Sequence, residues 1–537
     1  MLILYRIKTE FGIARVIHRY LRINNLNMRS RLRKIITESL RVQRHGPKQV
    51  GYVDSSNALA DAGAKQNHVI FGRRGCGKSL LLQESSKQIE KENGGLVVPI
   101  NCEDYKNHSF PNVLIEILDI IFDKLGMGVG SLTFFGKKKK AKKIIFNIKH
   151  ELKLLREKAD EQSENIKERT ATTQQDSINA GVAGNIANIG IASNDATKQE
   201  TERTYKRFDS KIDELNRLLP RLKKDLDTFF QLAPKVKFVV IQLDDFYHLR
   251  REVQPYVIDY IHRLCKDLPL YFKVATLRFA STLFIERSGQ PVGVQERHDY
   301  QPIHIDFTFQ DFRKTENQIK NIFYKYGELA GEKHGYIDNL FKGDGFRRLV
   351  LAGGGVPRDC LSLFKTASDN LSSDDERIGK DEVRVLSLSN LDRRIQELNS
   401  DSQQEEQEAL LKGIYTIRKF CIDKKNNIFL IPERLMQEHE DIKKLIYRLL
   451  DYRVIHSVGT AFTHKSQPGT YNAFMIDIGC YANLRKLDGK MNEIDLSQHE
   501  AKEKIRSVPI LSESDFTAIW KSAPENLTEE ILAKDGD

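Results

Sequence analysis

FGRRGCGKSLLL, from Phe71 to Leu82, is the stretch whose reading decides the fold. It fits G-x-x-x-x-G-K-[ST], with Gly72 opening, Gly77 and Lys78 closing and Ser79 last. Val69, Ile70 and Phe71 ahead of it read as a short buried strand, and SLLLQESSKQIEKE behind it has helical spacing. Strand, glycine loop and helix in that order predict a phosphate-binding loop, and these flanks weigh against a glycine-rich turn that matches by chance. Glycines at 72, 75 and 77 let the backbone turn its N–H groups inward on a phosphate. Gly72, Arg73, Arg74, Gly75, Cys76, Gly77, Lys78, Ser79 and Leu80 are therefore the expected ATP-binding residues. Lys78 can reach the β- and γ-phosphates, and the Ser79 hydroxyl can hold Mg2+.

Length and charge narrow the class. At 537 residues the chain has room for about three domains. Its six cysteines are scattered without C-x-x-C pairing, which argues against a disulfide framework and a structural zinc site and suits a reducing cytosol. MLILYRIKTE reaches a charge too early for a signal peptide, and no stretch is long and apolar enough to span a bilayer. The net charge of +11 is local: Met1 to Lys48 holds twelve Lys or Arg against only Glu10 and Glu38. RSRLRKIITESLRVQRHG, from Arg29, reads as a basic amphipathic helix, either a solvated face or a DNA contact. Met28 is an alternative start to Met1, and both readings stay open.

Further along, GLVVPINCEDY (Gly95 to Tyr105) predicts a second buried strand and PNVLIEILDIIFDKLG a helix, so strand and helix alternate as in a parallel sheet. From Phe135 two long charged helical segments flank the uncharged stretch Ser177 to Ser193, which predicts an inserted antiparallel hairpin over 135–230 with arms too charged to be core. Its tip reads as a turn, a self-association surface or an apolar wedge. The lysines at 137–140, 142 and 143 read as a solvated face or a phosphate-backbone contact. VKFVVIQLDDFYHL then supplies a buried strand ending in Asp244 and Asp245, the first suited to the Mg2+ shell and the second to polarising a water. YFKVATLR (Tyr271 to Arg278) and PIHIDFTF (Pro302 to Phe309) read as the remaining strands.

Taken together these elements resemble an AAA+ ATPase, and more narrowly the origin-recognition (ORC-type) initiator group. Gly355-Val356-Pro357-Arg358 is similar to the Gly-x-Pro-Arg sensor-2 motif of that group, which implies a γ-phosphate contact for Arg358. Sensor 1 falls on Thr276 or Arg278, without the usual Asn, and Asp244-Asp245 stands where the group has Asp-Glu. The resemblance also implies a trans-acting arginine finger, with Arg287 and Arg297 as candidates, and self-association in the ATP state.

The expected architecture is α/β: a basic segment over 1–48, an AAA+ P-loop parallel-sheet core over 49–310 interrupted by the hairpin, and a helical lid over 311–398. A winged-helix-like domain over 399–490 and an acidic tail over 491–537, docking or solvated, complete it. The linker NSDSQQEEQE opens the winged-helix-like region, and PERLMQEHED and IKKLIYRLLDYRVI read as its tightly joined helices. If it binds double-stranded DNA, Lys443, Lys444, Arg448 and Arg453 face outward from the second helix, with Lys465 in the wing; the same scaffold also serves protein contacts. Two functions follow. One is an ATP-hydrolysing switch that couples nucleotide state to DNA binding. The other is a signalling or antiviral-defence ATPase that oligomerises on ATP and senses a partner through the hairpin.

Overall fold

The computed structural model describes residues 29–40, 50–54, 56–130, 136–171, 195–287, 289–371, 376–401, 404–482 and 491–532. The hairpin tip at 177–193, and most of the basic N-terminal segment, lie outside the described residues. Helix α1 covers 29–39 and buries Leu32 and Ile36. The chain falls into two compact units. One comprises Asp54–Gly72 and Gly77–Ile305, the other Met1–Val53, Arg73–Cys76 and Asp306–Asp537.

In the first unit, helix α2 (Ala58–Gly63) precedes β1 (His68–Phe71), and α3 (Lys78–Lys91) leads to β2 (Gly95–Asn101) and α4 (Asn112–Gly128). Helices α5 (Lys137–Ala171) and α6 (Asp195–Leu232) separate these from β3 (Phe238–Asp244), α7 (Gln254–Cys265) and β4 (Leu270–Thr276). A hairpin of β5 (Phe284–Arg287) and β6 (Gln290–Gly293), not anticipated from the sequence, comes before β7 (Gln301–His304). The five-stranded sheet has the order β2-β3-β4-β1-β7 and every pairing in it is parallel. Unbroken apolar runs follow from that arrangement, because a parallel strand is covered on both faces; the first six residues of β3 are all buried.

Two strands end sooner than the apolar patterns suggest. At β2 the Asn101 side chain accepts the N–H of Glu103 and starts a 3-10 turn over Cys102–Tyr105. At β7 pairing stops at His304, short of Phe309. The hairpin arms require a larger correction. Ile145, Ile148 and Leu152 of α5 and Leu215, Leu219, Leu222, Leu226 and Phe229 of α6 join the main apolar core with Leu118 and Ile121 of α4 and Ile261 of α7. Arg156 of α5, half-exposed, pairs with Glu116 of α4 at 2.7 Å beside this buried stripe.

The second unit opens with α8 (Phe312–Ala330), α9 (His334–Asn339), α10 (Gly345–Ala352), α11 (Pro357–Asp369) and α12 (Lys380–Asp401). Helix α13 (Gln404–Asp423) follows almost at once, so the charged stretch expected to be a linker is largely helical. Then come β8 (Ile428–Pro432), α14 (Glu433–Glu438), α15 (Glu440–Asp451), β9 (Ile455–Thr463) and β10 (Thr470–Ile476), the strands forming an antiparallel sheet in the order β8-β10-β9. The acidic tail is not a solvated appendage. Leu430 of β8 accepts from Leu511 N at 2.8 Å and donates to Pro509 O at 2.9 Å. Ile505, Leu511, Phe516 and Ile531 are buried, with α17 (Glu513–Lys521) and α18 (Leu527–Leu532) against α13; α16 is the short turn Ala501–Ile505.

Candidate functional site

The flanks of the glycine loop belong to the sheet unit. Gly72 N donates to Thr276 O at 3.4 Å as the chain leaves β1. Gly77 has φ 95° and Gly75 φ 85°, the left-handed region that glycine enters without steric cost. Gly77 caps α3, whose first turn carries no acidic side chain, so its leading N–H groups and the positive end of its dipole are left for an anion. Lys78 is buried at the first helical position, and its Nζ donates to Gly72 O at 2.8 Å. This arrangement of loop, lysine and helix start is suited to a nucleotide's phosphates.

The acidic end of β3 lies in the same unit. Asn101 of β2 pairs in register with Asp244, which sets the ends of both strands side by side. The Asp244 carboxyl is pushed up to about 6, first by burial and then by the neighbouring Asp245 charge, while a hydrogen bond from Ser79 and the Lys78 ammonium oppose the shift. A carboxylate in contact with the Ser79 hydroxyl fits the oxygen set that Mg2+ prefers. Asp245 takes φ 51° and donates its N–H to Asp244 Oδ1 at 3.0 Å. Ligand atoms of Glu103, Asp245 and His248 all lie within 4.8 Å of one another. Glu103 and His248 were not singled out in the sequence; the signal for them is two strands that end in NCED and DDFYH and sit in register.

Of the two sensor-1 candidates, Thr276 is fully buried and shares a hydrogen bond with Ser281, whereas Arg278 is exposed at an open pocket lined by Phe71, Leu283 and Tyr300. Arg287 donates to the Tyr256 hydroxyl at 3.1 Å, and Arg297 is exposed.

The tip of the loop, Arg73–Cys76, clusters with the second unit and is gripped there. Arg73 is not a free cation. Its guanidinium meets both oxygens of Asp306, at 2.7 and 2.8 Å, and the Phe307 carbonyl at 3.0 Å. Cys76 Sγ donates to Asp306 at 3.3 Å. Burial alone would raise the Asp306 carboxyl, but the Arg73 guanidinium outweighs it and holds the group below its usual range. Arg358, at the start of α11, donates its backbone N–H to Gly75 O at 3.3 Å, and its side chain lies 3.8 Å from Glu397.

Behind the tip is a buried ion network. Asp359 lies 3.3 Å from Arg453 and 3.2 Å from Arg394, and Arg394 reaches Asp477 at 2.5 Å. Burial would push Asp359 up, yet Arg453, Arg394 and Arg393 together hold it at about 2. Arg453 also donates to Arg74 O at 2.9 Å and to Glu397. These contacts correct the expected DNA-facing set. Arg453 is fully buried, and Arg448 is buried against Glu406 at 2.8 Å. Lys444 is exposed, Lys443 pairs with Glu440 at 3.0 Å, and Lys465 pairs with Glu503 at 2.9 Å. No helix among the described residues is long and apolar enough to cross a membrane.

No curated protein sequence matches the chain. Among solved structures, Cdc6p from Pyrobaculum aerophilum is 11% identical, with 91% of this chain and 98% of that one covered at a TM-score of 0.32. A Walker-type ATPase of Pyrococcus abyssi is 10% identical, with coverages of 82% and 97% and a TM-score of 0.39. Drosophila ORC bound to DNA is 12% identical, with coverages of 78% and 89% and a TM-score of 0.26. The profile of the ORC-CDC6-like family matches residues 134–462, more than half of the sequence. On that match the chain belongs to the ORC-CDC6-like family.

Proposed function

We propose that this protein is an ATP-binding and ATP-hydrolysing ORC-type switch whose nucleotide state is coupled to its hold on double-stranded DNA. The observation that carries the reading is the register of β2 and β3, which brings Asp244 to the strand ends where the Ser79 hydroxyl and the buried Lys78 ammonium act on its carboxyl. Gly75, Gly77 and the amides that open α3 would hold the phosphates, and Ser79 with Asp244 would hold Mg2+, which supplies charge neutralisation at the phosphates when bound. Asp245 is the group to orient the attacking water, and its left-handed backbone turns it away from the line of β3. Arg358, packed on Gly75, is the residue assigned by family resemblance to the γ-phosphate. DNA would meet the exposed Lys444 with Lys443 on α15.

ATP turnover and DNA binding by the full chain test this. Turnover that is lost in Lys78→Ala, with a DNA affinity that differs between ATP and ADP, is the expected result. Equal DNA affinity in both states removes the coupling, and no turnover removes the hydrolase.

A signalling or defence role is the second reading, and one observation favours it. Phe146 of α5 is 68% exposed while Ile145 and Ile148 beside it are in the core, so the arm offers an apolar contact directly backed by the ATPase sheet unit. ATP-dependent oligomerisation that a Phe146→Ser substitution abolishes, with no response to DNA, would favour this reading over the first.

A further inference from the structure

A phosphate loop works by pointing main-chain N–H groups inward, which leaves its carbonyl groups facing away from the ligand. Each peptide is planar and trans, so a group that fixes one carbonyl also fixes the N–H of the next residue. In this chain the carbonyl of Arg74 accepts a hydrogen bond from Arg453 at 2.9 Å. The N–H governed by that peptide is the N–H of Gly75, and Gly75 has no room for a side chain: an added Cβ would lie 2.7 Å from Arg358 Cβ.

Arg453 is not a lid residue. It follows α15, two residues before strand β9, and it adopts φ 62°, which turns its fully buried side chain back toward the loop. Three residues on, His456 of β9 makes a second contact with the tip. Its Nδ1 lies 3.4 Å from Arg73 Nη1 and its Nε2 3.1 Å from Asp477. Since a guanidinium has only donors, Nδ1 accepts from Arg73 and a neutral ring donates from Nε2 to Asp477. Arg394 ties Asp477 to Asp359, and Arg453 returns from Asp359 to the loop. All of these residues belong to the same compact unit.

We propose that Arg453 and His456 are positioning residues for the phosphate loop, so that the C-terminal three-stranded sheet reads the state of that loop directly. This rests on the reading of Gly72–Ser79 as an ATP site. It adds the route by which the wing takes part: when the peptide after Arg74 turns to a phosphate, the Arg453 fork and the first residues of β9 move with it. Arg348 of α10 lies in the same compact unit and meets both oxygens of Glu493 at 2.7 and 2.9 Å, outside the network that holds Arg453 and His456. It therefore separates a positioning effect from a stability effect.

The test uses the full-length chain, a fluorescent ATP analogue with Mg2+, and hydrogen exchange of residues 455–476 with and without nucleotide. Arg453→Lys keeps the charge against Asp359 and Glu397 but loses the fork, and should weaken nucleotide affinity about tenfold, the loss expected for one charge-assisted hydrogen bond. Nucleotide should also slow exchange across 455–476 in the wild type and leave it unchanged in Arg453→Lys. Arg348→Lys should lower the melting temperature while keeping both the affinity and the exchange response. His456→Gln tests the second contact should Arg453→Lys fail to fold, with the same loss of response expected. An equal loss of affinity in Arg348→Lys, or a wild type that binds nucleotide without any change over 455–476, overturns the proposal. A wild type that binds no nucleotide overturns it together with the ATP reading.

Discussion

Lys273 of β4 places its Nζ 2.7 Å from Nδ1 of His68 of β1, its register partner in the middle of the parallel sheet, and both side chains are buried. The ammonium is satisfied by the carbonyls of Ala64 and Gln66 at 2.6 and 2.8 Å. Burial still pulls Lys273 down from 10.5 to about 7, with the Asp61 charge opposing, and pulls His68 down from 6.5 to about 4, with Lys273 adding to that shift.

Stability should therefore rise with pH above neutrality. Between about pH 7 and 10.5 the unfolded chain holds a proton on Lys273 that the folded chain has released, so raising the pH favours folding. The slope approaches about 1.4 kcal/mol per pH unit. Denaturant midpoints at pH 7.2 and 8.5, expressed as the difference between wild type and Lys273→Met, should show the gain in the wild type alone. An identical pH response in both proteins would rule out Lys273 as its source.

Two loop and strand substitutions should separate binding from chemistry. Lys78→Ala should abolish nucleotide binding. Asp245→Asn should keep binding and lower kcat about a hundredfold or more if Asp245 is, as proposed, the group that orients water, because it leaves Lys78, Ser79 and Asp244 unchanged. Stopped turnover with intact analogue binding is the diagnostic pair of measurements.

Gly75→Ala should both destabilise the protein by about 1 kcal/mol or more and weaken nucleotide binding, because the residue would be forced into the left-handed region against Arg358. Thermal melting and analogue titration read the two effects separately.

On the C-terminal unit, Lys444→Ala should lower DNA affinity about threefold and flatten the salt dependence by about one unit of slope, without changing the melt. Arg448→Ala should do the reverse. It leaves Glu406 without its buried partner and should cost about 3 kcal/mol of stability. DNA loss from Arg448→Ala at unchanged stability would return that residue to the binding face.

Leu222→Ala on α6 should cost about 3 kcal/mol, the usual loss for a leucine emptied from a packed core. Urea unfolding measures it. A loss below about 0.5 kcal/mol, as at a surface position, would mean the arm is not part of the core.

The strand, glycine turn and helix start of the loop were legible in the sequence because every part of them is local. Glycines, lysine and serine within eight residues specify a turn and a helix start, and the apolar run before Asp244 and Asp245 specifies a doubly covered strand. The order of helices and strands in the C-terminal unit was legible for the same reason, from periodicity and turn residues.

What needed the tertiary structure was the fate of the charged residues. In a sequence an arginine or a lysine reads as surface, and only a distant partner makes its burial tolerable. Arg394 lies 35 residues from Asp359 and 83 from Asp477, and Arg453 is 379 residues from the carbonyl it holds. Likewise the leucines of α6 are one stripe on a charged helix, and nothing local says whether that stripe faces a coiled-coil partner or the core it joins. The sequence by itself determined the glycine turn, the helix start after it and the strands that frame them, since propensity and spacing act within a few residues. Only the folded chain decided which cations are buried and what they hold, since that depends on contacts made far apart along the chain.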